Sequence, residues 1–439
     1  MHRSLRALLF TLAFTGAACS SSSSDEPSAA GSGDTGTVDA GTLDAAAADT
    51  RADEGSADAN GDTAIADAGD TSGSGSGADT SDLPPQPDRP RLDSPTPLRK
   101  LSEYAFFVGP LRDMRPNNGV VAYSVNAPLW SDNAYKGRYI ALPEGGQLTP
   151  VADGDEDWQL PVGAIVIKTF YFDLDRTTPN EGPYRINETR LLFVTDHGIV
   201  AETYLWNDEQ TEAVRFVAGT RINMQVIGAD GTSANQEYVV PNKNQCANCH
   251  SRNDQIHMLG LTTAQLNRES LEEPGRNQLE LWQSAGMIAG DLGDTALLPA
   301  YDKPFVSGSL NGQARAYLHG NCSHCHRTGG AAGVTGLWLL ASVTEDYRIG
   351  ICKGPVAAGA GTGSFHYDIL PGHPERSIMP FRMSSVDPEI KMPEIPNLIA
   401  DQQGVALIQA WIAEMPAVAC NEVNEGSGAG SGAGSGSGQ

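Results

Sequence analysis

Apolar positions change their spacing about halfway along the chain. Between residues 92 and 241 the sequence offers short runs rich in β-branched and aromatic residues: AIVIKTFYFDL (164–174), INETRLLFV (186–194), IVAETYLW (199–206) and RINMQVIGA (221–229). Turn formers such as Pro179, Asn180, Gly182, Pro183 and the pair His197-Gly198 separate them, which is the spacing of antiparallel hairpins. These runs predict a β-sandwich or partial barrel. Beyond Pro241 the apolar residues recur three and four apart, in AQLNRESLEE, RNQLELWQSAG, QARAYLHGN and GVALIQAWIAEM, so the second half reads as helix and loop. The expected class is α+β: an antiparallel, sandwich-like N-terminal domain followed by mainly helical domains.

The two ends have no such pattern. Residues 1–19, MHRSLRALLFTLAFTGAAC, combine a basic start, a short apolar run and small residues before Cys19, as a secretory signal does. A cysteine straight after Gly16, Ala17 and Ala18 is what a bacterial lipoprotein signal supplies, with the Cys19 thiol acylated and the chain held to a membrane by lipid. The alternative is an ordinary cleaved signal, because Gly16 stands where such signals usually carry Leu. Ser20 after Cys19, rather than Asp, points to an outer-membrane lipoprotein facing the periplasm or the cell surface.

Residues 20–91 are almost all Ser, Gly, Ala, Asp and Thr, with too few large apolar residues to offset the entropy of ordering, so they read as a disordered tether. Residues 425–439 read as a second unstructured end. The formal net charge of the chain is −25, and residues 20–91, with fifteen acidic residues against Arg51, Arg89 and Arg91, carry 12 of those excess negative charges. The remainder is mildly acidic, which argues against nucleic acid as a partner. Between the ends the expected divisions are 92–241 for the β-rich domain, 242–300 for a segment that contains NQCANCH and 301–424 for a domain that contains GNCSHCH.

The chemistry sits in two short motifs. NQCANCH carries Cys246, Cys249 and His250, and GNCSHCH repeats the arrangement with Cys322, Cys325 and His326. Two thiols one helical turn apart can each form a thioether with a haem vinyl group while the adjacent imidazole reaches the iron, so two covalently bound haem c groups are expected, with His250 and His326 as proximal ligands. A structural zinc site or a redox thiol pair also uses Cys-x-x-Cys. Export weighs against both, since free thiol pairs outside the cytoplasm tend to oxidise. Of the seven cysteines, Cys352 and Cys420 are then left over and are expected to form a disulfide.

The sixth ligands are harder to read. Met392 in KMPEIP, just before the closing helix, is the expected distal ligand of the second haem, with Met379 and Met383 as rivals. For the first haem His257, Met258 and Met287 are the nearby candidates, and no pattern separates them. His319 and His324 read as exposed helix positions rather than contacts between haems. Among the conspicuous residues of the β-rich part, Trp130, Asp132, Lys136, Arg138, Trp158, Glu188, Arg190 and Trp206 read as core and surface, and His197 as a solvent-exposed turn residue. The stretch KGPVAAGAGTGSFH lacks the Lys-Ser/Thr of a phosphate loop and reads as a loop over the second haem.

On the stretches YSVNAPLWSDNAYKGRYIALP, ETRLLF, YLWNDEQTEA with PNKNQCANCH, YLHGNCSHCH, FRMSS, KMPEIP and GVALIQAWI, the chain resembles a family of bacterial dihaem c-type cytochromes over about residues 101–415. The resemblance implies a β-rich N-terminal part followed by haem-binding segments, and no particular substrate. Similarity to the C-terminal half of monohaem cytochromes c carries over Cys322, Cys325, His326 and Met392.

The function expected is electron transfer between redox protein partners in the cell envelope, with membrane contact through lipid at Cys19. The alternatives are a peroxidase-like haem oxidoreductase with one open haem site, and a β-domain binding module with accessory haems. Replacing Cys322 or Cys325 by Ala is expected to remove one thioether to the second haem, and replacing both to leave that haem without covalent attachment. Haem staining after denaturing electrophoresis checks this, and full covalent haem in the double variant contradicts the assignment.

Overall fold

In the computed structural model the described residues are 87–94, 96–151, 154–394 and 397–420. The expected signal and anchor at Cys19, nearly all of the tether and the Gly/Ser tail lie outside them. The chain first forms a small ribbon, β1 (Phe107–Val108) with β2 (Arg115–Pro116). A six-stranded antiparallel meander follows: β3 (Val120–Ala122), β4 (Tyr135–Ala141), β5 (Ile165–Asp173), β6 (Tyr184–Thr195), β7 (Gly198–Trp206) and β8 (Ala213–Arg215), paired in that order. A separate hairpin, β9 (Thr220–Ile227) with β10 (Ser233–Val240), closes the β-rich region.

The strands read as near-continuous apolar text because the sheet is covered on both faces. On one face Tyr139, Ile165, Ile167, Leu191 and Tyr204 pack against Leu101, Tyr104 and Phe106 of the preceding segment. The hydroxyls of Tyr104 and Tyr204 meet at 2.9 Å, and Tyr204 donates to the Leu98 carbonyl, so two buried phenols satisfy each other. On the opposite face Ile140, Val166 and Leu192 pack against Leu261, Leu266, Leu279 and Trp282, which follow the first Cys-x-x-Cys-His motif. Farther along that face Phe170 and Phe172 lie under Met224, Val226 and Tyr238 of the β9–β10 hairpin. The layer opposite the sheet is therefore a hairpin plus the segments around the first motif.

The helical region begins with α1 (Lys243–His250), a hairpin of β11 (Ser251–Arg252) with β12 (Gln255–Ile256), and the short α2 (Thr263–Leu266) and α3 (Gln278–Ser284). It continues through α4 (Leu310–Asn321), α5 (Asp346–Ile349), α6 (Ile378–Ser384) and α7 (Gln402–Glu414). The period around AQLNRESLEE yields one turn, α2, because the Asn267 side chain turns to the carbonyls of Thr295 and Leu298 and ties the chain to a later loop. A third core joins α4, α6 and α7 through Leu318, Met379, Met383, Ile408, Trp411 and Ile412. Among the described residues no helix is long and apolar enough to cross a membrane.

The two regions meet where α4 lies on the loop before β4. Asn321 accepts from the Trp130 amide at 2.7 Å, and a Cβ built on Gly320 falls 2.4 Å from the Ala127 carbonyl oxygen. Backbone that close cannot swing aside as a side chain would. Gly320→Ala is therefore expected to lose about 1–2 kcal/mol net, overpacking outweighing the gain in helix propensity, and thermal denaturation reads this as a lowered midpoint.

Candidate functional site

The first motif is presented by α1. Asn242 caps it by accepting from the Gln245 amide, and the Gln245 side chain accepts from the Asn242 amide in return. This capping box satisfies amides that a short helix otherwise leaves open. Cys246 and Cys249 then fall one turn apart, with His250 at the end of the helix. The chain reverses at once through Asn253 and Asp254, both at positive φ, as a two-residue hairpin turn requires. The reversal brings the His257 carbonyl to 2.8 Å from His250 Nδ1. With Nδ1–H donating there, the Nε2 lone pair of His250 is left free, which is the second-shell arrangement that orients a metal-binding imidazole.

The second motif follows α4, whose N-terminus is capped by Ser309. Cys322, Cys325 and His326 sit on one further turn, in which the His326 amide donates to the Cys322 carbonyl at 2.9 Å. Burial lowers His250 and His326 alike to about 4, so both rings are neutral near pH 7 and in the form that binds iron. His326 Nδ1 is buried without a hydrogen bond of normal geometry, although the Leu337 carbonyl acts on the ring in the direction opposite to burial.

Each motif lines its own cavity. The first, about 150 Å³, is bounded by Cys246, Cys249 and His250 and by residues of the sheet face. The second, about 350 Å³, is bounded by Cys322, Cys325 and His326 with an apolar wall that includes Leu318, Leu339 and Ile378. The cavities adjoin, since Cys249, His324 and Pro393 line both. The Cys325 thiol donates to the Asn248 carbonyl at 3.5 Å, which places it beside Cys249, and the nearness of the two thiols favours the Cys249 thiolate and pushes Cys325 up. Burial raises Cys246, and it raises Cys322 to about 12. Among the described residues no group of three or more His, Cys, Asp or Glu is disposed to hold a bare metal ion.

A carboxylate from the β-rich region clamps the segments after both motifs. Glu156 takes Arg252 in a two-pronged contact of 2.9 and 2.5 Å and also accepts from Arg327 at 2.8 Å. Arg252 lies two residues beyond His250, and Arg327 directly follows His326. The Asn253 amide donates to the Gly329 carbonyl at 3.1 Å, a further link between the two segments.

Met392 lines the second cavity, and so do Met379 and Met383 from α6. Of the three candidates for the first haem, Met258 lines the cavity, the His257 ring is turned to Arg252 at 3.1 Å, and Met287 packs in the core behind. The expectation that His319 and His324 are exposed is corrected. His319 is 8% exposed, meets the Tyr301 ring at a tilt of 47° with centroids 4.7 Å apart and lines the first cavity, because α4 is buried on both sides. His324 stands between the cavities beside Cys249. Trp130, Arg138 and Arg190 line the first cavity, whereas Trp158 and Trp206 are core residues bonded to Thr263 and Thr189. The Gly-rich stretch packs on the Arg382 and Phe381 side chains of α6, through Gly361 and Gly363, and contributes no wall residue to the second cavity. Cys352 and Cys420 are joined by a disulfide that closes a loop of 68 residues.

Glu156, Arg252 and Arg327 carried no motif. The available signal was an arginine soon after each Cys-x-x-Cys-His, with its acidic partner about 100 residues upstream of the first. Glu156→Gln leaves two guanidiniums facing a neutral amide, and a loss of about 1–3 kcal/mol is expected in chemical denaturation, most of it recovered when Arg327→Gln is added. No family model, curated protein or solved structure matches the chain.

Proposed function

We propose that this protein is an exported dihaem c-type cytochrome that passes electrons between redox partners in the cell envelope. The observation that carries the reading is two complete Cys-x-x-Cys-His sets on the walls of adjoining cavities. Cys246 and Cys249 would hold one haem by thioether bonds with His250 on its iron, and Cys322, Cys325 and His326 would hold the other. Haem so bound supplies one-electron chemistry at iron.

The chain's own residues do the rest. The His257 carbonyl fixes the His250 ring, burial keeps both imidazoles neutral, and the apolar wall of the second cavity excludes water. Met392 is the proposed sixth ligand of the second haem, on the same wall as Met379 and Met383. The contact between Cys249 and Cys325 supports a short relay, since it sets the two attachment points side by side. Acylation at Cys19 would tether the relay to the outer membrane.

A second reading, a haem oxidoreductase with one open coordination site, is favoured by the cations Lys168, Arg138 and Arg190 on the wall of the first cavity. Optical and magnetic-resonance spectra of protein matured in a haem-attaching host separate the two. The expected result is two low-spin haems, with a methionine-ligand signature lost from one in Met392→Ala. One high-spin haem that binds carbon monoxide selects the second reading, and absence of covalent haem overturns both.

A further inference from the structure

Strands β4, β5 and β6 set three cations in one row. Arg138 is the register partner of Lys168, and Lys168 is the register partner of Arg190. Like charges placed directly opposite on neighbouring strands repel, and a sheet face carries such a row at a cost in stability. All three side chains line the first cavity, together with Cys246, Cys249 and His250. Arg138 is 5% exposed, so the charge is set into the fold rather than spread over a solvated surface.

Charge compensation for the row is incomplete. Arg190 is held by Glu188 in a two-pronged contact of 2.6 and 2.9 Å, and Glu188 also accepts from the Tyr238 hydroxyl. Lys136, on the same face, turns away to the Ala134 carbonyl. Lys168 sits between the two guanidiniums, and among the described residues no carboxylate pairs with it. Its ammonium lies 5.2 Å from the centre of the Phe170 ring, which the Arg190 guanidinium also covers at 4.4 Å. The carboxylates that line the cavity are engaged elsewhere: Asp155 takes the Ser342 hydroxyl, and Asp157 takes the Leu261 amide at 2.7 Å. Burial and the neighbouring cations push Lys168 well down from the usual lysine range, and an anion beside it would reverse that shift.

We infer that the first cavity binds a carboxylate or small oxyanion against the row formed by Arg138, Lys168 and Arg190. Guanidiniums flanking an ammonium offer several donors to the planar oxygens of such a group. Two sources carry this chemistry: the carboxylate arms of the haem itself and a diffusible anion such as nitrite. The inference rests on the haem reading for the first source and is independent of it for the second.

The test uses the full-length, haem-loaded protein, with nitrite as the probe. Nitrite is titrated into the ferric protein by calorimetry and by absorption, for the native chain, Lys168→Met and Lys168→Arg. Saturable binding that weakens at least tenfold in Lys168→Met and is largely restored in Lys168→Arg assigns the row to a diffusible anion. No nitrite binding, with Lys168→Met moving the haem carboxylate vibrations and the midpoint potential of the first haem, assigns it to the cofactor. Neither change, in a Lys168→Met protein with native circular dichroism, overturns the inference. A haemochrome assay on the Cys246→Ala/Cys249→Ala double variant runs in parallel: if the haem count does not fall, the haem reading fails, while the calorimetric titration still reads the row.

Discussion

One carboxylate holds the two motif segments in register. Glu156 comes from a loop of the β-rich region, yet its oxygens are shared by the arginines that follow the two Cys-x-x-Cys-His sequences. The guanidiniums are mostly buried, at 16% and 15% exposure, so neither could stay there without a counter-charge. Each segment alone would be a short helical turn with a polar exit. Joined through Glu156, and through the Asn253–Gly329 contact, they turn their thiols toward each other and their imidazoles into separate cavities.

The sheet supports this arrangement in two ways. Its apolar half, around Ile140, Val166 and Leu192, gives the residues after the first motif a core to pack on. Its charged middle faces the cavity. Burial therefore changes character along a single face, from hydrocarbon contact to a row of cations, and the β9–β10 hairpin restores an apolar cover at the far end. The second cavity is built differently, from the helical region alone, with α4, α6 and the loops that carry Leu339 and Met392 placing methionines and aliphatic side chains on its wall.

Much of this was legible in the sequence. The strands at AIVIKTFYFDL, INETRLLFV and IVAETYLW lie within a residue or two of β5, β6 and β7, because burial on both faces selects β-branched and aromatic residues at nearly every position. The α+β class and the closing helix follow from the same periodicities. What escaped was governed by distant contacts. β4, YKGRYIA, carries two cations whose meaning depends on Lys168 and Arg190 across the sheet, and β10, SANQEYVV, is too polar to read as a strand without its partner. His319 looked like a surface position because nothing local says that α4 is covered by the β-rich region as well as by α7. The sandwich expectation failed in part for the same reason: strand text announces that a face is covered and not by what.

The nearness of Cys249 to Cys325 has a consequence for how such a chain can mature. Under the proposed export and haem attachment, four thiols and the Cys352–Cys420 pair would be sorted in a compartment that oxidises cysteines. A folded chain that met an oxidant before its attachment reactions were finished would hold, ready-made, a neighbouring thiol from the wrong motif. The resulting cross-link would consume one attachment point from each motif at once. Attachment ahead of compaction removes that hazard, and the long Cys352–Cys420 loop can then be closed last.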